Sequence, residues 1–164
     1  MKKLALLLSL SLSTLAPAAT TVTLEGVHNC CRSCANGIVK AAAGIKDVEV
    51  TAEGSTITIT AKTKTSAKKA VEAIMEAGYF GKSSEESFTS APKADKTLKE
   101  ATVTGVHLCC QKCVDAMSKA VKAVSGVQEA EIANKATSFT VKGEFSSQAL
   151  LAAMNQAGFH GTIK

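Results

Sequence analysis

Val22 and Leu24 alternate with threonine, which predicts a short strand near the start of the chain. From Arg32 to Ala43 the apolar side is drawn by Cys34, Ile38 and Ala41 or Ala42, the spacing of a helix, with Gly44 as its C-terminal cap. Val48 and Val50, then Ile57 and Ile59, alternate on either side of Glu53-Gly54, which is a hairpin signal. Ala67, Ala70, Val71, Ile74 and Ala77 recur at three- and four-residue steps, predicting an amphipathic helix ended by Gly78. A short last strand is expected after Tyr79.

The same order then recurs. Ala101 and Val103 mark a first strand. Ala130 and Ile132, then Phe139 and Val141, mark a hairpin. Leu150, Leu151, Met154 and Ala157 mark a second helix. Self-comparison makes the repeat explicit: Gly26-Val27-His28-Asn29-Cys30-Cys31-Arg32-Ser33-Cys34 matches Gly105-Val106-His107-Leu108-Cys109-Cys110-Gln111-Lys112-Cys113. Gly44-Ile45 matches Gly126-Val127, and Ala77-Gly78-Tyr79 matches Ala157-Gly158-Phe159. The predicted fold class is therefore α+β: two tandem βαββαβ modules, each an antiparallel four-stranded sheet with two helices on one face. Module one spans residues 20–82 and module two residues 98–164. Residues 83–97, with SSEES, Pro92 and several charges, read as a linker. Each module is near the size floor for a domain that folds alone, so metal or disulfide support would matter.

Residues 1–19 read as a signal peptide: Lys2-Lys3, an apolar stretch from Leu4 to Leu15, then Ala16-Pro17-Ala18-Ala19, with cleavage expected near Ala18 or Ala19. The apolar run is shorter than the ~20 residues that span a bilayer. A periplasmic or secreted protein is expected, with no transmembrane segment in the mature chain. The net charge is +5, with Lys2 and Lys3 contributing two of those charges, and the lysines are scattered, which gives no case for nucleic acid. Aromatic content is 4%, so the cores must be aliphatic, and the exposed stacking aromatics of sheet-based RNA binders are missing.

All six cysteines and two of the three histidines lie in the two equivalent loops. A duplicated cluster of this kind is a strong metal signal, and thiolates select soft ions: Cu(I) first, with Zn(II) or Hg(II) as alternatives. Cys31 and Cys34, and likewise Cys110 and Cys113, straddle the start of a helix. There both side chains can face one ion, and the helix N-terminus favours thiolate. His28, Cys30, His107 and Cys109 are further candidate ligands. In an extended segment His28 and Cys30 point to one side and Cys31 to the other, so one ion takes all four side chains of a loop only if the loop turns sharply. A Cys3His zinc site needs that turn; a two- or three-thiolate Cu(I) site needs less contortion. His28 and His107 also admit a role as groups that keep the thiols deprotonated.

Each module resembles the heavy-metal-associated domain, the ferredoxin-like fold of copper chaperones, of the N-terminal tails of copper-pumping ATPases and of the periplasmic mercury-binding protein. The resemblance rests on the strand TVTLEGV, the Cys-x-x-Cys opening a helix, Gly44-Ile45 before the second strand and the Ala-Gly-Tyr ending. It implies the ferredoxin-like fold, carries the family's two metal-binding thiols onto Cys31 and Cys34 and onto Cys110 and Cys113, and implies that Tyr79 and Phe159 pack near the cysteine loop. The sequence departs from the family's Gly-Met-x-Cys-x-x-Cys: Val27 stands for the Met, two residues are added before the Cys-x-x-Cys, and a His and a third Cys appear.

The function expected is non-enzymatic: an exported carrier, chaperone or scavenger of soft metal ions, copper first, exchanging its ion with a metal-transporting membrane protein or another carrier. The rival is a thiol–disulfide redox protein using the Cys-x-x-Cys pairs. The chain lacks a thioredoxin-like βαβ context, and its only prolines are Pro17 and Pro92. A third reading is an interaction module in which zinc or a disulfide only staples a small core. His160 is read as loop packing, and Met75 and Met154 as core filling. There is no Gly-rich phosphate loop and no visible serine triad.

Overall fold

A computed structural model describes residues 19–89 and 94–164. The expected signal peptide, apart from Ala19, and Pro92 of the expected linker lie outside the described residues.

The first module runs β1 (Thr20–Glu25), α1 (Arg32–Ala42), β2 (Val48–Glu53), β3 (Thr56–Ala61), α2 (Lys64–Glu76) and β4 (Lys82–Ser83). The second runs β5 (Thr97–Thr104), α3 (Gln111–Lys122), β6 (Val127–Glu131), β7 (Ser138–Ser146), α4 (Ser147–Gln156) and β8 (Thr162–Ile163). Each forms an antiparallel four-stranded sheet, ordered β2-β3-β1-β4 and β6-β7-β5-β8. This is the α+β, twice-repeated βαββαβ architecture that the periodicity predicts.

The alternation of β1 and β3 explains why the helices cover one face. Val22 pairs with Ile59 and Leu24 with Ile57. All four are buried, while the threonines between them are not. Ile38 and Ala42 of α1, with Ala67, Ala70, Val71 and Ile74 of α2, close over that face. In the second module Ala101, Val103, Phe139 and Val141 are covered by Met117 and Val121 of α3 and by Leu150 and Met154 of α4. Met75 and Met154 are both buried, as core filling requires. Thr63 caps α2 by accepting the Ser66 N–H, and Ser146 caps α4 by accepting the Ala149 N–H.

Three details differ from the sequence pattern. Gly44 does not supply a left-handed cap after α1. The left-handed residue of that turn is Asp47 (φ 59°), a residue type that tolerates this conformation, and its carboxylate pairs with Lys62 at 2.9 Å. Ala77 is exposed at the C-cap of α2 while Met75 takes the buried position, because the helix ends one residue before the periodicity does. The connecting stretch also carries structure. Ser83 lies in β4, and a 3-10 turn at Glu86–Phe88 buries Phe88. The Asp95 carboxylate accepts from Ser146 Oγ at 2.7 Å and from the Gln148 N–H at 3.1 Å, bonds that hold its pKa below the usual carboxylate range. Among the described residues no helix is long and apolar enough to cross a membrane.

Candidate metal centre

After β1 the chain turns at Gly26 and enters the cysteine loop, which is tied to the hairpin turn of its own module. The Val27 N–H donates to Ser55 O at 3.0 Å, and Asn29 Nδ2 donates to Gly54 O at 2.9 Å. The second module achieves the same anchoring with different groups. The N–H groups of Gly105 and Val106 donate to Thr137 O, that of Lys135 donates to Leu108 O at 2.7 Å, and Leu108 is buried where the first module has Asn29. Cys31 and Cys110 are the N-cap residues of α1 and α3, in extended conformation. Cys34 and Cys113 lie in the first turns, fully buried.

The two loops meet. Residues Tyr79 and Phe159, each just past the second helix of its module, form an antiparallel backbone bridge. Around it the His28 N–H donates to Gly158 O at 3.2 Å, the Phe80 N–H to Gly158 O at 3.1 Å and the His160 N–H to Gly78 O at 3.0 Å. Gly78 (φ 94°) and Gly158 (φ 85°) make this approach possible. A Cβ on Gly158 would strike His28 N and Gly26 O, and one on Gly78 would strike His107 N and lie 2.8 Å from Val106 C. The aromatic after each second helix therefore covers the histidine of the other module. Phe159 stacks on His28 (centroids 4.4 Å apart, 25° between planes), and Tyr79 lies over His107 (4.3 Å, 32°), its hydroxyl 3.0 Å from both ring nitrogens. Tyr79 and Phe159 thus pack at the cysteine loops, and the histidine each one covers belongs to the opposite module.

The sulfurs converge at this junction. Within the modules, Cys34 Sγ lies 3.7 Å from Cys30 and 3.6 Å from Cys31, and Cys113 Sγ lies 3.7 Å from both Cys109 and Cys110. Across the modules, Cys34 lies 3.4 Å from Cys109 and 3.9 Å from Cys113. Cys30 is 3.7 Å from both Cys110 and Cys113, and Cys31 is 3.9 Å from Cys109. All six are free thiols. Donor sets compact enough for one ion are Cys34, His107, Cys109 and Cys113; His28, Cys30 and Cys113; and Cys30, Cys31 and Cys110. Each set draws on both loops. All eight candidate ligands are thus brought together, at one centre between the modules. His160 stays outside these sets, bonded through its backbone as loop packing.

Electrostatics divide the thiols into two kinds. The N–H of Cys113 at the open end of α3 holds the Cys110 thiol down to about 7, and the N–H of Cys34 lowers Cys31 in the same way. Burial pushes the thiols of Cys30, Cys109 and Cys113 up. Burial also lowers the pKa of His28 and His107, which keeps both rings neutral at pH 7 with a lone pair to offer. His28 Nε2 is buried without a hydrogen-bond partner. A tetrahedral ion with metal–sulfur bonds of about 2.3 Å sets its sulfurs about 3.8 Å apart, the spacing this centre already has.

Gly37 carries no mark in the hydrophobic pattern, yet the structure gives it a specific place. It sits inside α1, where glycine costs roughly 1 kcal/mol against alanine. A Cβ there would strike the Tyr79 hydroxyl. The repeat carried the signal: the equivalent pair in the second module is Ala116 and Phe159, an added methyl matched by a missing hydroxyl.

Residues 99–160 match the model of the heavy-metal-associated domain. The N-terminal soluble domains of Bacillus subtilis CopA are similar to this chain at 17% identity and a TM-score of 0.34, over 90% of this chain and 95% of that one. The apo HMA domain of the copper chaperone for superoxide dismutase is similar at 25% identity and a TM-score of 0.36, over 46% of this chain and 76% of that one.

Proposed function

We propose that the protein, whose residues 99–160 match the heavy-metal-associated domain and follow a first module with the same order of elements, is a non-enzymatic carrier or scavenger of soft metal ions, copper first, acting outside the cytoplasm. The observation that carries this reading is the convergence of six thiols from both loops at spacings of 3.4–3.9 Å. Soft thiolate ligands select ions such as Cu(I) and zinc. The unpartnered, buried Nε2 of His28 adds a donor with nothing else to bond. The extracellular or periplasmic site of action rests on Lys2-Lys3, the apolar run and Ala16-Pro17-Ala18-Ala19.

The centre lies at the junction of the modules, and each module buries its own aliphatic core beneath two helices, which favours a carrier over a metal staple. Transfer would proceed by ligand exchange. A partner's thiolate enters at the helix-capping Cys31 or Cys110, whose thiolates form most readily, while the buried Cys34 and Cys113 keep hold of the ion. The test is the metal content and thiol state of the full protein purified without added metal or reductant. Bound copper, zinc or mercury, with thiols shielded from alkylation until a chelator is added, supports the reading. Metal-free protein with its cysteines joined as disulfides overturns it in favour of thiol–disulfide exchange.

A further inference from the structure

Resting on the soft-metal reading, we propose that the six thiols hold one polynuclear cluster of monovalent ions shared by the two modules, with Cys34 and Cys113 as its central bridging ligands, in place of one separate ion in each module. The arrangement of sulfurs is the evidence. Two independent sites would set each module's three sulfurs closest to one another. Here the shortest separation, Cys34 to Cys109 at 3.4 Å, crosses between modules.

The separations define triangles of three mutually close sulfurs. Cys31, Cys34 and Cys109 form one, with edges of 3.6, 3.9 and 3.4 Å. Cys34, Cys109 and Cys113 form the next, at 3.4, 3.9 and 3.7 Å. Cys30, Cys34 and Cys113 follow, at 3.7, 3.7 and 3.9 Å. Cys30, Cys110 and Cys113 close the strip, each edge 3.7 Å. Exchanging the modules maps the first triangle onto the last and the second onto the third. Neighbouring triangles share an edge, and Cys34 and Cys113 each belong to three of them. Sulfurs shared in this way serve more than one ion only by bridging.

Charge and coordination number select the ion. Each thiol that ionises gains a negative charge, which the ion that replaces its proton offsets. A single ion binds at most about four of these donors, leaving the remaining thiols crowded in a half-buried site, where uncompensated thiolate is costly. Monovalent thiophilic ions are satisfied by two or three thiolates each and fit the three-sulfur faces; thiol protons leave as the ions enter. Zinc, which prefers four donors, finds one such set: Cys34, His107, Cys109 and Cys113.

The test is an anaerobic titration of the reduced, metal-free full chain with Cu(I), reading ions bound per chain and the metal's neighbours by X-ray absorption. More than two ions per chain, at most one for each of the four triangles, taken up cooperatively and with copper–copper scattering, is the result expected. Saturation at one or two ions with only sulfur or nitrogen neighbours overturns the cluster and leaves the soft-metal reading intact. No uptake of Cu(I) overturns both. The double variant Cys30→Ser/Cys109→Ser retains both Cys-x-x-Cys pairs, and circular dichroism checks its fold. Its uptake is expected to fall to two ions without copper–copper scattering, and an unchanged cluster would overturn the bridging assigned here.

Discussion

The Tyr79 hydroxyl occupies the space that a side chain at Gly37 would fill, and from there it reaches the ring nitrogens of His107 at 3.0 Å. One module thus holds the other's histidine through a gap in its own first helix. Gly37→Ala should destabilise the protein by about 1–3 kcal/mol through overpacking, although alanine is the better helix former. Adding Tyr79→Phe should restore roughly 1–2 kcal/mol of that loss by removing the clash, recreating the Ala116–Phe159 combination of the second module. A urea-denaturation double-mutant cycle checks this, and additive effects would mean that the two residues do not share the space.

The approach of the two loops depends on glycine at position 158. Gly158→Ala forces a Cβ against His28 N and Gly26 O at φ 85°, so the modules should separate while each keeps its fold. Small-angle scattering should then report a larger radius of gyration, with unchanged far-ultraviolet circular dichroism. An unchanged radius would show that the junction does not need this glycine.

The thiols should react in a fixed order. A lowered pKa places more thiolate at a given pH, so Cys110, at about 7, is half ionised near neutrality, while Cys109, pushed up by burial, stays protonated. In reduced, metal-free protein, iodoacetamide should label Cys110 first and Cys109 and Cys30 far more slowly. The Cys110 rate should rise as pH climbs through about 7 and level off above it. Mass mapping of the labelled peptides measures this, and equal rates at the three cysteines would contradict the helix-end effect.

Chelation should strip the metal without unfolding the chain, since Val22, Leu24, Ile57 and Ile59, and their counterparts in the second module, are buried within their own modules. The expected outcome is an unchanged circular dichroism spectrum together with newly alkylatable thiols at Cys31 and Cys110, while the buried Cys34 and Cys113 react only once the chain is denatured. Cooperative unfolding on chelation would assign the metal a stapling role instead.

Short-range rules made much of this molecule legible. Alternation at Val22-Leu24 and Ile57-Ile59 and the stepping of Ala67, Ala70, Val71 and Ile74 determined strands and helices, because those periods report which side of an element is buried. The repeat marked two modules, and its cysteine loops marked where candidate ligands for a soft metal would lie. The ends of elements were less legible: Asp47 took the left-handed turn expected of Gly44, since several residue types satisfy a turn once tertiary contacts hold it.

The sequence by itself left open whether the two loops act alone or together. That was decided by the tertiary structure, through the Tyr79–Phe159 bridge and the glycines at positions 78 and 158 that let one backbone lie against the other. Such docking depends on matching surfaces from residues about half the chain apart, and no local period records it. The same docking turns two Cys-Cys-x-x-Cys motifs into one centre, with Cys34 of the first module closest to Cys109 of the second.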